Sequence, residues 1–563
     1  MDSTQKRRGA ATQKPRQWRA VILALSVCFL APGAVWAART HEAIPEEALA
    51  ILRRIAIQHN GRQKPFDSFA RESLEQITGS STRGHDDPVE TVLAIIASPE
   101  HWQAEALIWV PFVPLREALG LDRRTSHVSY NDLVATRKLM RMLPAIVQKQ
   151  QREETLSMLE QETMDAFERF ASLTRLLERQ LDLVPPPSPT ERSWLPILQP
   201  AGYPEDRQAT LRSAWSTFVA AVHQGEAQAI TSAARHLRDT VQAANPAAYP
   251  ARWRLELEVF YNRAAPFRVA RAAYLLAALG LLLSLTTTTR WAAWAGMSAL
   301  WGGFLLHGAG ILMRVVLGGR PPVSNFYETT LWLPFVAVAL SLVFERIYRV
   351  RYFGLAAAIL SAIVLVLADH LPLDPSISPV VAVLRSNLWL TIHVLTIVAS
   401  YGALALATVL AHIYGVLYLT RRGEHPALAS LGTLLYRAIQ VGVVLLAGGI
   451  MLGAVWANAS WGRYWGWDPK ETWALITLLW FLAILHGRFA GWIQGVGLAL
   501  ATIGGFFLLL MTYYGVSFYL VGLHSYAGGH AKPLPPLLIA YLLAEVAFLL
   551  VVGLAAMQRK RPA

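Results

Sequence analysis

From Val269 to the C-terminus the chain is a succession of apolar runs, and this feature most restricts what it can fold into. A helix needs about 20 apolar residues to cross the hydrocarbon of a bilayer. Inside it, every backbone polar group must be satisfied within the segment, so helices are the natural spanning form. Nine spans can be placed, at roughly 269–285, 291–316, 331–344, 352–367, 388–419, 438–456, 472–485, 492–518 and 537–557. Residues 38–267 read differently, rich in Arg, Glu and Gln. The expectation is an all-α protein: a polytopic membrane helix bundle (268–563) preceded by a mostly helical exterior domain.

Charge gives the bundle a direction. The formal net charge is +13, yet only 16% of residues are charged, against about 25% in soluble domains. No nucleic-acid-reading motif accompanies the excess. Basic residues instead recur in alternate connections: Arg290, then Arg346, Arg349 and Arg351, then Arg421, Arg422 and Arg437, then Arg488, and finally Arg559, Lys560 and Arg561. With an exterior N-terminal domain these connections all fall inside, as the positive-inside rule asks. Residues 1–37 fit an export signal or retained anchor: a basic start from Lys6 to Arg19, an apolar stretch from Ala20 to Ala31, then Val35-Trp36-Ala37. The one cysteine, Cys28, lies in that stretch, so the exterior half has no thiol for disulfides or thioether chemistry.

Within the N-terminal part, 139–183 reads as one long helix, ended by the proline run at 185–189, which reads as a stiff linker. A second helical group covers about 206–244. His41, His59, His85, His101, His127, His223 and His236 are scattered, without metal-ligand spacing.

The unusual residues fall in the connections expected outside. The segment from Asn458 to Trp473 holds Trp461, Gly462, Arg463, Tyr464, Trp465, Trp467, Asp468, Lys470, Glu471 and Trp473. Interfacial belts do gather Trp and Tyr, but a belt does not explain charged groups set among the rings. Flat aromatic faces beside a few polar groups suit a large, flat, apolar ligand with charged edges, such as haem. Arg463 and Lys470 are then candidates to meet its propionates.

The segment Trp461 to Trp473 resembles the tryptophan-rich WWD signature of the haem-handling superfamily, and Trp467-Asp468-Pro469-Lys470-Glu471-Thr472-Trp473 resembles its CcsA/ResC branch. The segments Gly319 to Glu328, Trp389 to Val394 and Leu523 to Tyr526 are similar to further family segments, and the likeness covers the whole membrane half. A weaker likeness joins Gly61 to Glu72 with the exterior part of long bacterial CcsA-like chains. The resemblance implies a system II cytochrome c biogenesis protein in a bacterial inner membrane, with a periplasmic N-terminal domain. It would move haem b outward and hold it for thioether attachment to the Cys-x-x-Cys-His segment of apocytochrome c, as a holocytochrome c synthase.

Neutral imidazole is a common axial ligand of haem iron. The resemblance gives His393 and His524 as the exterior ligands, and His486 as a ligand within the membrane. His393 lies about 8 Å into its span and His486 about 20 Å down, at about 1.5 Å per residue. In two-part synthases the second membrane ligand comes from a ResB/CcsB portion, whose spans this chain lacks. His307, about 13 Å down, is the substitute candidate, whereas His412 at about 36 Å is too deep. Arg314, seven residues after His307, shares its helix face and is a third candidate for a propionate. Implied partners are apocytochrome c, a ResB/CcsB-like subunit, a thiol-reducing protein and membrane lipid. The alternatives are a haem exporter or chaperone serving a separate attachment subunit, a secondary solute transporter, and a quinone-linked haem oxidoreductase. Asp468 and Glu471 could shape the loop or move protons; spacing leaves that open.

Overall fold

The computed structural model describes residues 44–560, except 83–85, 153, 189, 288, 372, 380–387, 422, 424 and 525–533. The export-signal segment, Cys28 and Ser525-Tyr526 therefore lie outside the described residues. The N-terminal part begins with α1 (Glu46–Leu52), the hairpin β1 (Ala56–His59) and β2 (Arg62–Pro65), α2 (Phe66–Thr78), α3 (Pro88–Ala97) and α4 (Pro99–Ala104). It continues with β3 (Ala106–Trp109), α5 (Val113–Leu119), β4 (His127–Ser129), α6 (Tyr130–Thr136), α7 (Lys138–Gln151), α8 (Met158–Leu177), α9 (Glu205–Gln224), α10 (Ala227–Ala244) and α11 (Arg252–Ala264). The two short antiparallel strand pairs, β1–β2 and β3–β4, sit within the expected mostly helical part.

Two expectations for this part change. The stretch 139–183 is two helices, because Ser157 accepts the Glu160 N–H while Glu160 caps the Ser157 N–H, starting a new helix at Met158. The proline run is no free linker. Pro185 and Pro186 are buried, and their carbonyls accept from Tyr203 Oη at 2.9 Å and Asn245 Nδ2 at 2.8 Å. Val184 pairs back with Leu195.

The membrane part comprises α12 (Pro266–Thr287), α13 (Arg290–Gly318), α14 (Phe326–Tyr348), α15 (Tyr352–His370), α16 (Leu388–Thr420), α17 (Ala427–Trp461), α18 (Pro469–Phe489), α19 (Val496–Leu510), α20 (Val516–Tyr519) and α21 (Pro536–Lys560). A π-helical turn, Met511–Gly515, joins α19 to α20 within one span. Among the described residues nine helical stretches are long and apolar enough to cross a membrane, as the sequence predicts. The chain is thus a multi-pass membrane protein.

Helix α16 is the centre of the bundle, lying against α14, α15, α17, α19 and α21. Its most apolar stretch is 72% buried, that of α21 only 11%. Glycines let α16 and α17 approach: a Cβ at Gly442 would come 2.5 Å from Leu404, and one at Gly449 within 2.8 Å of Ile397. Small residues at a helix interface do this in membranes generally. On the far side, α21 is pinned to α16 by Glu545, whose Oε2 lies 2.9 Å from His412 Nε2, with Phe548 stacked on the imidazole.

The N-terminal part is fastened to one end of the bundle. Helix α11 carries Glu258, bound by both terminal nitrogens of Arg62, and Asn262, which donates to Asp67 at 2.8 Å. Arg254 donates to the Leu317 carbonyl at the end of α13 at 3.0 Å.

Candidate functional site

Four connections expected outside converge on one cavity of about 840 Å³, in the upper range of cofactor pockets. Gly319, Arg320 and Ser324 come from the α13–α14 connection, Pro379 from α15–α16, Tyr464 and Trp465 from α17–α18, and Leu523 and His524 from the connection before α21. The floor is built by the helices below, with His393, Ile397 and Tyr401 of α16, Gly453 and Trp456 of α17, and Tyr513 of the π turn. The basic connections that carry Arg290, Arg349, Arg421 and Arg488 lie at the opposite helix ends.

The structure brings His393 and His524 to the same cavity. Each has its Nδ1 occupied. His393 Nδ1 is 2.7 Å from the Gly449 carbonyl, and His524 Nδ1 is 2.9 Å from Asp468 Oδ1. An acceptor at Nδ1 keeps the proton there and leaves Nε2 as the lone-pair nitrogen, the arrangement seen in metal-ligating histidines. Trp456 ties the two together, with its ring parallel to His393 at 6.3 Å and edge-on to His524 at 6.1 Å. Trp461 adds an edge contact to His524 at 5.8 Å.

Asp468 and Glu471 shape the loop. Asp468 is the N-cap of α18, its Oδ1 accepting the Lys470 N–H at 2.9 Å. Glu471 Oε2 accepts the N–H groups of Gly466 and Asp468 at 2.8 and 3.2 Å. Burial works against charge on Asp468, but the His524 hydrogen bond and the N–H groups of Lys470 and Leu523 hold its carboxyl below the usual range. Between Gly466 and Asp468, Trp467 sits at φ +57°, a conformation costing about 1 kcal/mol or more for a non-glycine residue. Its ring is 71% exposed and meets Trp465 edge-on at 5.7 Å.

The other aromatic-loop residues divide. Tyr464, Trp465, Lys470 and Glu471 line the cavity, whereas Trp461, Gly462, Arg463, Trp467 and Trp473 do not. Lys470 Nζ reaches Ser517 Oγ at 2.9 Å and the Tyr513 carbonyl at 3.2 Å. Arg463 is exposed and folds over Gly466.

Arg314 does not line the cavity. It shares the buried face of α13 with His307, but that face is packed with protein. Its guanidinium is taken by Glu328 at 3.1 Å, Tyr261 Oη at 3.1 Å, and the carbonyls of Pro375 and Ser376 at 2.8 and 3.1 Å. Beside Lys470, a second cation lines the cavity: Arg320, missed in the sequence and held by Glu328 at 2.5 Å and the Ser378 carbonyl at 3.1 Å.

The suggested His307–His486 pair is not brought together either. His307 is fully buried among Phe267, Tyr274 and Phe335, its Nδ1 3.2 Å from Tyr274 Oη. His486 is on α18, which packs on α17 and α19 rather than α13. It lies on a bare stripe with Ile476, Leu479, Ala483 and Phe489, its Nδ1 bonded to the Leu482 carbonyl at 2.8 Å.

Fold and site define a membrane protein whose histidine-bearing cavity lies under an aromatic loop, and residues 323–524, which span that cavity, match the family of cytochrome C assembly proteins. The Cytochrome c biogenesis protein CcsA of Prochlorococcus marinus strain NATL2A is 36% identical over 254 residues, covering 38% of this chain and 79% of that protein. That of strain MIT 9515 is 35% identical, with 78% of its length covered. The chain belongs to the CcsA family of cytochrome c biogenesis proteins. It is also 30% identical to Protein NrfI of Wolinella succinogenes over 497 residues. That match takes in 84% of this chain, more than the membrane part alone can supply, and the chain spans about half of NrfI.

Proposed function

We propose that the cavity holds haem b between His393 and His524 and presents it for covalent attachment to apocytochrome c. The observation that carries this is the pair of imidazoles lining one cavity, each with Nδ1 engaged and Nε2 left to bind iron. Tyr464, Trp465 and Trp456 supply flat apolar surface, and Arg320 and Lys470 supply cations for the propionates. Arg463, exposed on the rim, is a secondary contact.

In the attachment step two cysteine thiols of the substrate add across the two haem vinyl groups. Each S–C bond forms as the vinyl double bond is consumed, and the thiol proton ends on the neighbouring carbon, so no electrons are lost. The protein's share is orientation and ligation, consistent with an active site without a cysteine. Substrate thiols must arrive reduced, which calls for a thiol-reducing partner.

His486 is the inner haem ligand in this reading. It stands on a lipid-facing stripe, where the second ligand would be supplied by a helix of a ResB/CcsB-like subunit. His307 is not retained for that role, since it is enclosed by packed rings. The protein sits in the bacterial inner membrane with its N-terminal part and the cavity on the periplasmic side, as the placement of basic residues at the other helix ends supports.

The test is the absorption spectrum of the detergent-purified protein supplied with haem, beside His393→Gly and His524→Gly. Wild type should show a reduced low-spin spectrum, converted to five-coordinate high-spin in either variant and restored by imidazole. An apocytochrome attachment assay then separates a synthase from a haem exporter. A wild type that takes up no haem refutes the reading.

A further inference from the structure

Both imidazoles line one cavity, but they are mounted differently. His393 projects from the second turn of α16 into that helix's close packing with α17. Its Nδ1 is held by the Gly449 carbonyl of the neighbouring helix, its ring lies parallel to Trp456, and a Cβ at Gly453 would come within 2.6 Å of it. Moving this ring aside means parting α16 from α17 along their glycine contacts.

His524 is mounted on the connection between α20 and α21, and one carboxylate holds it there. Asp468 Oδ1 accepts from His524 Nδ1 at 2.9 Å, while Oδ2 accepts the backbone N–H of Leu523 at 2.7 Å. Gly522 lies against the same group, so that a Cβ there would be 2.6 Å from Oδ2. Asp468 is itself buried and fixed at the start of α18 by the Lys470 N–H. Among the described residues, ring and backbone of the His524 segment therefore hang on one group, and the imidazole otherwise makes edge contacts with Trp456 and Trp461.

Joining haem to a Cys-x-x-Cys-His segment requires one iron ligand to give way to the substrate's histidine. We infer that His524 is the ligand that leaves and that Asp468 is the latch of its loop, a positioning residue that holds ring and backbone together until exchange. The inference rests on haem ligation by these two histidines, as proposed above. In the exchange the iron loses the His524 Nε2 lone pair and gains that of the substrate imidazole, with no change of oxidation state. Because both hydrogen bonds end on Asp468, His524 and its backbone leave as one unit, which opens that haem face from outside while His393 keeps the iron anchored.

The experiment is carbon monoxide binding to the dithionite-reduced, haem-loaded full chain in detergent. Carbon monoxide binds six-coordinate iron only after a ligand has left, so its rate reports ligand release. Asp468→Asn removes the charge, and Gly522→Ala sets a methyl against Asp468 Oδ2 without altering a ligand, the carboxylate or a residue that lines the cavity. Both should keep haem and bind carbon monoxide about ten-fold faster than wild type, at the low end of effects for groups that orient metal ligands. Rates equal to wild type in both variants, with haem bound, would overturn the latch and leave the ligation reading intact. Loss of haem from both would overturn it too, showing Asp468 to be a binding determinant rather than a latch. A wild type that takes up no haem strikes the ligation reading itself.

Discussion

Glu75 offers a sharp test of how the N-terminal part meets the bundle. It stands on α2 at the junction, in a cavity shared with Arg268, Asp369 and the segment 373–377. Burial, then the charges of Asp374 and Glu72, push its carboxyl up to about 7 from 4.5, with Arg268 opposing. A carboxyl raised in the folded state binds more protons folded than unfolded between those values. Folding stability therefore falls as pH rises through that window. At about 1.4 kcal/mol per unit, wild type should lose about 2–3 kcal/mol between pH 5 and pH 8 through this group. Glu75→Gln keeps the shape and removes the titration. Its advantage over wild type should be small at pH 5 and about 2–3 kcal/mol at pH 8, or roughly 5–10 °C in thermal midpoint. The assay is the unfolding midpoint of both proteins in the same detergent at half-unit pH steps, read by tryptophan fluorescence. A wild-type-to-variant gap that stays constant from pH 5 to pH 8 would refute the reasoning. The junction also concerns the histidine-bearing cavity, because the segment after Asp374 gives Arg314 and Arg320 carbonyl partners and supplies Pro379 to the cavity wall.

Other predictions follow from single contacts. Trp456→Ala should weaken haem retention by about 5- to 30-fold, through loss of a ring worth about 1–2 kcal/mol beside both histidines, as measured by haem transfer to apomyoglobin. Arg314→Gln should destabilise the fold by about 3 kcal/mol or more, since it strips a buried partner from Glu328. Arg320→Gln should chiefly lower haem affinity, and thermal midpoints beside haem titrations separate the two arginines. A double-mutant cycle on His412→Leu and Glu545→Leu should give a coupling of about 1 kcal/mol, the scale of polar contacts between membrane helices.

What could be read in the sequence follows the strength of each physical constraint. Hydrocarbon thickness imposes span length, so the nine helices were legible, and side alternation brought the right four connections to one end. Arg314 shows where periodicity stops. Its seven-residue spacing from His307 correctly gave a shared face, but only packing shows that this face meets Tyr261, Glu328 and a backbone turn. Arg320 was hidden by its position one residue beyond a glycine turn, where no period applies. Trp456 read as ordinary span content, although it sits on the helix leading into the aromatic loop. The helix break at 152–157 was signalled by Ser157 and Glu160, three residues apart. The π turn at Met511 has no comparable mark, yet it supplies the Tyr513 carbonyl to Lys470.

The loosely held last helix has a consequence for how the protein is made. Among the described residues none that lines the cavity comes from α21, which packs on α19 and α16 and carries the Glu545–His412 pin. Every cavity wall that the described residues supply is therefore synthesised before α21. The molecule is built as a finished chamber to which one outer stave is added last, and a chain cut between 525 and 533 should still assemble when its two pieces are made together.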